Sequence, residues 1–304
     1  MYNQTEAILA QYELEIRQIT KGRGTYICDT DKGMKLLSPF RGSPNKGAWL
    51  RQYLQQVWSM GFEVEQIELN KNGEAVTIDE VTGEGFIIKD KIMGTELSTA
   101  HLGEILEVAE VLARYHSVAE RICVEQMMEG QESSMGMLDV TDSRARHYKE
   151  LIKVRNYIRS RKKKQEFERL YMTHFANMLQ SAEKSMEVLT KLSIENAPHI
   201  VCHGDCNQHN LLWTQQGWRM VNFENAVYSW PVWDLANYIR KMLEKNGWDE
   251  ELGIELVQAY DRARPLDEVE YLQLYGLLLF PEKFWKITNH YMNSNKAWIP
   301  ARDI

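Results

Sequence analysis

Along the first ninety residues, short apolar runs alternate with polar positions and turn residues. YELEIRQI alternates, KGRG reads as a turn, TYICDT follows, DKG is a second turn, and MKLL is a further strand, so two successive hairpins are predicted. From Ser43 and Pro44 to Gly61 the period changes. Trp49, Leu50, Tyr53, Leu54, Val57 and Trp58 recur at intervals of three and four, which predicts a helix with a start signal at Ser43-Pro44. The stretch from Phe62 to Ile92 is predicted as three strands around Asn72-Gly73 and Gly83 to Gly85. After Met93-Gly94 the pattern becomes helical: one long amphipathic helix, then two helices over 142–192 with a basic stretch between them. Strand-like HIVCH, NLLW and WRMVNF interrupt this. Pro231 then opens PVWDLANYIRKMLEKNG, with Gly247 at its end, and the chain to about Asn293 reads as helix.

The expected architecture is α+β and bilobal. A β-sheet lobe with one helix spans 1–94, and a larger helical lobe spans 95–304 and carries a loop of catalytic type at 200–225. Composition adds bounds. A chain of 304 residues, 44% hydrophobic, can bury a sizeable core. No run of about 18 apolar residues predicts a membrane span, and MYNQTEAILAQYELEIRQI lacks the pattern of a secretory signal. A net charge of -7 argues against general nucleic-acid binding. The cysteines Cys28, Cys123, Cys202 and Cys206 form no CxxC pair and read as reduced thiols. Cys202, His203, Cys206 and His209 crowd one stretch, but no second ligand pair with suitable spacing supports a metal site there.

The stretch richest in chemistry is HGDCNQHNLLWTQQGWRMVNFEN, from His203 to Asn225. Phosphoryl transfer needs a carboxylate to orient the attacking hydroxyl, oxygen ligands for magnesium, and a lysine for the nucleotide phosphates. Asp205 fits the first role and Asn210 the second. The plain alternative is a turn in which Asp and Asn bond to local backbone. NLLW, TQQG and WRMVNF form a hairpin that would return the chain beside Asp205. Asp234, in the first turn of the following helix, reads either as support for the loop or as a favourable charge at a helix N-terminus.

These residues resemble the aminoglycoside phosphotransferase and choline kinase group, which has a protein-kinase-like fold. His203-Gly204-Asp205, Asn210, Asn222-Phe223-Glu224 and Asp234-Leu235-Ala236 stand where that group has its HGD loop, its Asn, its metal motif and its Asp-Leu-Ala. More narrowly, KGRGTYICDTDKGMKLL and LFPEKFWKITNHYMNSNKAWIP resemble the spore coat protein CotS family. The resemblance implies His203 and Asp205 as catalytic-loop residues, Lys35, Gly22 and Gly24 at the nucleotide, and Asn210, Asn222 and Glu224 at magnesium. It also implies ATP and Mg as cofactors.

Three departures from the group's pattern bear on activity. Asn222 replaces a metal-binding Asp, and an amide brings no charge. A loss of even ~3 kcal/mol would slow chemistry roughly 100-fold. Glu224 is the better substitute, being expected two residues along a strand on the face of Asn222. Gly22-Arg23-Gly24 has two glycines, and a plain hairpin turn explains it as well. Lys35 lies on the third strand, but the helix from Ser43 to Met60 contains no Asp or Glu to pair with it.

Two readings follow. The first is an impaired, structural or assembly-related spore coat protein, made in the mother-cell cytoplasm, deposited in the coat and partnered by other coat proteins. The second is an active ATP/Mg-dependent phosphotransferase acting on a hydroxyl of a small polar, sugar-like or cationic molecule. The basic run Arg159 to Lys164 could dock an anionic partner or be a solvated corner. Trp213, Trp218, Trp230 and Trp233 could line a cleft or pack in the core.

Overall fold

A computed structural model describes residues 2–127, 138–192 and 199–293. The last seven residues of LFPEKFWKITNHYMNSNKAWIP lie outside them. In chain order the elements are α1 (Tyr2–Leu9), β1 (Ile16–Lys21), β2 (Tyr26–Thr30), β3 (Gly33–Phe40), α2 (Pro44–Ser59), β4 (Thr77–Ile78), β5 (Gly85–Asp90), β6 (Thr95–Glu96) and α3 (Leu102–Met127). Then come α4 (Val140–Ser160), α5 (Glu166–Leu192), β7 (Ile200–Cys202), β8 (Leu211–Thr214), β9 (Gly217–Met220), β10 (Val227–Ser229), α6 (Pro231–Lys245), α7 (Glu250–Ala263), α8 (Glu268–Leu279) and α9 (Glu282–Asn293). Single 3-10 turns at Gln208–Asn210 and Phe223–Asn225 flank the β8–β9 hairpin. The fold is α+β, a five-stranded antiparallel sheet with a larger helical part.

The chain divides into two compact units, 1–137 with 199–265, and 138–198 with 266–304. In the first, the sheet runs in the order β1-β2-β3-β5-β4. The expected strand at YELEIRQI begins only at Ile16, because its first residues belong to the turn and irregular stretch at 10–15 that follows α1. Ile8, Leu9 and Tyr12 bury against Cys28, Leu37, Phe86 and Ile88 on one sheet face, which a strand could not do from that position. The helix expected after Ser43 is α2. The Ser43 hydroxyl accepts from the Lys46 N–H at 3.2 Å, Pro44 opens the first turn, and Leu50, Tyr53, Leu54 and Val57 are buried.

Three strands were expected between Phe62 and Ile92, and two are found. The third segment, 64–68, is irregular, yet it runs along the edge of β5 through Glu68 N–H to Ile88 O (2.8 Å) and Asp90 N–H to Gln66 O (3.0 Å). It forms only isolated bridges, Ile67 with Lys89 and Val64 with Met220, and Glu65 and Glu68 turn to lysines. Below the sheet, Ile105, Val108, Leu112, Tyr115, Ala119 and Ile122 bury one stripe of α3. The buried Tyr53 and Tyr115 hydroxyls bond to each other at 3.0 Å. The Tyr115 hydroxyl also donates to Val201 O at 2.8 Å, fixing the strand that feeds the His203 loop.

In the second unit, α4, α5 and α9 share a core built on Leu151, Val154, Ile158, Tyr171 and Phe175, with Tyr171 stacked on Phe284 at 4.8 Å. Gly276 lets α8 approach α5, since a Cβ there would lie 2.7 Å from Leu189 Cδ2. The basic run Arg159 to Lys164 joins α4 to α5. Arg161 pairs with Glu168 at 2.6 Å, while Lys162 and Lys163 are exposed. No helix among the described residues is long and apolar enough to cross a membrane.

Candidate active site

The loop after β7 is held by α6. Asp234, fully buried in the first turn of that helix, accepts from the His203 and Gly204 N–H groups at 2.5 and 3.1 Å. Gly204 adopts φ +83° because the loop passes against Asn225, where no side chain fits. The bend brings Asp205 and Asn210 together. The Asn210 amide donates to Asp205 O at 2.8 Å and to Asp205 Oδ2 at 3.2 Å.

His203 does not reach reacting groups. It is fully buried, its Nε2 donates to Val221 O at 2.9 Å, and its Nδ1 accepts from the Asp205 N–H at 3.2 Å. Burial lowers its pKa, which keeps the imidazole neutral and fits that tautomer. Both ring nitrogens are thus engaged with the backbone of the loop and of Val221. Asp205 is the group that faces outward, with its side chain 38% exposed and Oδ1 2.9 Å from Lys241 Nζ. Burial pushes the Asp205 carboxyl up, but the Lys241 ammonium prevails and holds it below the ordinary value.

The returning hairpin delivers Asn222 through a left-handed turn, φ 68° and ψ 59°, a conformation Asn tolerates better than most residues. The expected strand therefore ends before Asn222. Glu224 lies in the 3-10 turn that follows, and the two side chains converge on one atom, Lys89 Nζ. Lys89, on β5 and 1% exposed, donates to Asn222 Oδ1 at 2.7 Å, to Glu65 Oε1 at 3.1 Å and to Glu224 Oε1. Glu65 Oε1 also accepts from the Asn222 and Phe223 N–H groups at 2.8 and 3.1 Å. Burial pushes the Glu65 carboxyl up, and Lys89 draws it back only in part. Burial alone would lower the Lys89 ammonium, but Glu65 and Glu224 outweigh it and hold it above its ordinary value.

Lys35 sits elsewhere. It stands opposite Asp90 in the β3–β5 ladder, whereas Lys89 stands opposite Leu36, so the two lysines project from opposite faces of the sheet. Lys35 shares the face of Leu37 and Ile88, which α1 covers. The expected lack of a partner is also corrected: Lys35 pairs with Glu68 and, at 2.7 Å, with Asp90, neither of them on α2. Gly22 and Gly24 belong to the turn joining β1 to β2, closed by Gly22 N–H to Thr25 O at 2.8 Å, with Gly24 at φ +73°. Of the tryptophans near the loop, Trp218 and Trp230 are buried and Trp213 is half exposed.

Three residues of this site escaped the sequence reading. Lys241 lies seven residues, two helical turns, beyond Asp234 and so on the same face of α6, a spacing that could have revealed it. Lys89 is a charge inside the apolar run FIIKDKI, a signal that something pairs with it. Glu65, in an irregular segment, carried no local signal.

Magnesium binding tests the site. Asn210 Oδ1 accepts from Asn222 Nδ2 at 2.8 Å, Asn222 Oδ1 and one Glu224 oxygen are taken by Lys89, and Asp205 Oδ1 is taken by Lys241. Each of these oxygens already accepts from a protein donor, and an ammonium stands where Asn222 and Glu224 converge, so a magnesium ion would have to displace Lys89 to use that pair.

Residues 71–274, more than half of the chain, match the phosphotransferase enzyme family (APH). Spore coat protein S of Bacillus subtilis (strain 168) is 22% identical over 308 residues, covering 96% of this chain and 85% of that protein. Among solved structures, the aminoglycoside phosphotransferase from Alicyclobacillus acidocaldarius superposes with a TM-score of 0.78 at 19% identity. That match covers 98% of this chain and 88% of that one. An amicoumacin kinase in complex with AMP-PNP, Ca2+ and Ami superposes with a TM-score of 0.69 at 14% identity, with the same coverage. The match spans more than half of the chain, and the chain belongs to the phosphotransferase enzyme family.

Proposed function

We propose that this protein is a spore-coat component built on the phosphotransferase fold and impaired in metal-dependent phosphoryl transfer. Its sheet-bearing lobe would be 1–94 and its helical lobe 95–304. The reading is supported by one observation above the rest: the amide oxygens of Asn210 and Asn222 are both bound by protein donors, the second by the ammonium of Lys89. The coat assignment rests on the likeness to spore coat protein S. Under this reading the protein is made in the mother-cell cytoplasm and deposited in the coat, with other coat proteins as partners.

A second reading is supported by Asp205. Its carboxylate is outward-facing and held ionised, and Asn210 braces it, which is what a group orienting a substrate hydroxyl requires. Under that reading the protein transfers phosphate from ATP to a small polar molecule. The similar amicoumacin kinase, solved with AMP-PNP, supports nucleotide binding in this fold.

Thermal unfolding with millimolar ATP, with and without magnesium, separates the two. The first reading expects any ATP-induced rise in Tm to be the same with and without magnesium. A rise that requires magnesium would overturn it in favour of the second.

A further inference from the structure

The geometry points to Lys89 as a resident cation: its ammonium takes the part of the divalent metal and ties strand β5 to the turn that carries Asn222 and Glu224. This deepens the reading of an impaired site and rests on it, although its own test fails separately.

An ammonium has three N–H donors and no acceptor. Lys89 Nζ meets three oxygens, Glu65 Oε1, Asn222 Oδ1 and Glu224 Oε1. Each donor is used, so none remains to bind a nucleotide phosphate. At 1% exposure the group also has no water to exchange for one. Lys89 therefore does not act as a phosphate lysine displaced to another strand.

Asn222 is matched to this arrangement. Its carbonyl oxygen accepts from Lys89 while its NH2 donates to Asn210 Oδ1. A carboxylate there could do the first but not the second, and it would add a third negative group around one ammonium. The amide at 222 and the lysine at 89 thus work as a pair, although 133 residues separate them.

The charge around the ammonium is left short. Two carboxylates surround one positive charge, and Glu65 Oε2 is buried with no hydrogen-bond partner among the described residues. A divalent cation would balance the two carboxylates in full, and the oxygens are of the kind that hard cations prefer. Removing the ammonium should therefore convert the cluster into a metal site.

The test uses the full chain and Mn2+ as the probe, followed by electron paramagnetic resonance and calorimetry. Wild type should bind no stoichiometric Mn2+. Lys89→Met should bind one Mn2+ per chain at least about tenfold more tightly than wild type, equivalent to about 1.4 kcal/mol. Adding Glu224→Gln to that variant should abolish the gain, and Asn222→Asp with Lys89 retained should produce none. A folded Lys89→Met that gains no Mn2+ affinity would overturn the inference, as would wild type binding Mn2+ as tightly as the variant. Neither result depends on ATP, so the magnesium requirement of nucleotide binding remains a separate test of the proposed function. If Lys89→Met does not fold, the wild-type 15N-lysine spectrum decides. Slowly exchanging Lys89 NH3+ protons, unmoved by magnesium, support the resident cation, and a signal shifted or broadened by magnesium refutes it.

Discussion

Glu65→Ala should destabilise the protein by about 2–5 kcal/mol, since it removes the acceptor of three buried donors and an unsatisfied buried polar group costs about 1–3 kcal/mol. Glu65 is 2% exposed and a single oxygen, Oε1, serves three donors: Lys89 Nζ and the N–H groups of Asn222 and Phe223. Truncation would leave Lys89 one acceptor short, with Asn222 and Glu224 still on its ammonium, and would orphan two backbone donors at the left-handed turn. Urea unfolding followed by tryptophan fluorescence measures the loss. The companion variant Glu65→Ala/Lys89→Met should lose less than the sum of the two single changes, because residues in one buried network do not add. Additive losses from the two single changes would show that Glu65 and Lys89 act independently.

Gly204→Ala should be nearly as damaging, for a steric reason. At φ +83° an L side chain is strained, which costs roughly 1–2 kcal/mol, and the added Cβ would lie 2.0 Å from Asn225 O. The neighbour is backbone, so the loop itself must move. That shift would break the two N–H bonds to Asp234 and pull Asp205 from Asn210. A total cost of about 3 kcal/mol or more is expected, in the range reserved for strain at a special backbone position. Gly24→Ala is the control: it has a similar φ of +73° but nothing within 4 Å of the added atom, so only the conformational cost should appear. Equal losses in the two variants, by the same urea measurement, would remove the close approach to Asn225 as the reason for glycine at 204.

Much of this site was legible because its parts are close in sequence. Asp205 and Asn210 are five residues apart, and a single bend joins them. Asp234 opens a helix announced by Pro231, so its carboxylate was placed at a helix N-terminus before its two N–H partners were known. α2 was readable from Ser43-Pro44 and the spacing of its apolar residues.

What escaped depends on contacts between distant segments. Lys89 finds Glu65 24 residues back and Glu224 135 residues on. Lys35 drew attention because it sits on the strand where a nucleotide lysine belongs, but strand membership does not fix which face a side chain takes. A one-residue difference in register sends it to the face that α1 covers, and α1 lies ahead of the first element read from the sequence. The absence of an acid on α2 suggested a loosely held lysine. The acids come instead from Glu68, in the irregular segment along β5, and from Asp90 on β5 itself.

The most direct test of the central claim is anomalous diffraction from crystals grown with Mn2+ and a non-hydrolysable ATP analogue. The account predicts no manganese peak beside the oxygens of Asn210 and Asn222, with Lys89 Nζ still within hydrogen-bonding distance of Asn222 Oδ1 and Glu65 Oε1. A manganese peak at those oxygens, with Lys89 withdrawn from them, would contradict it.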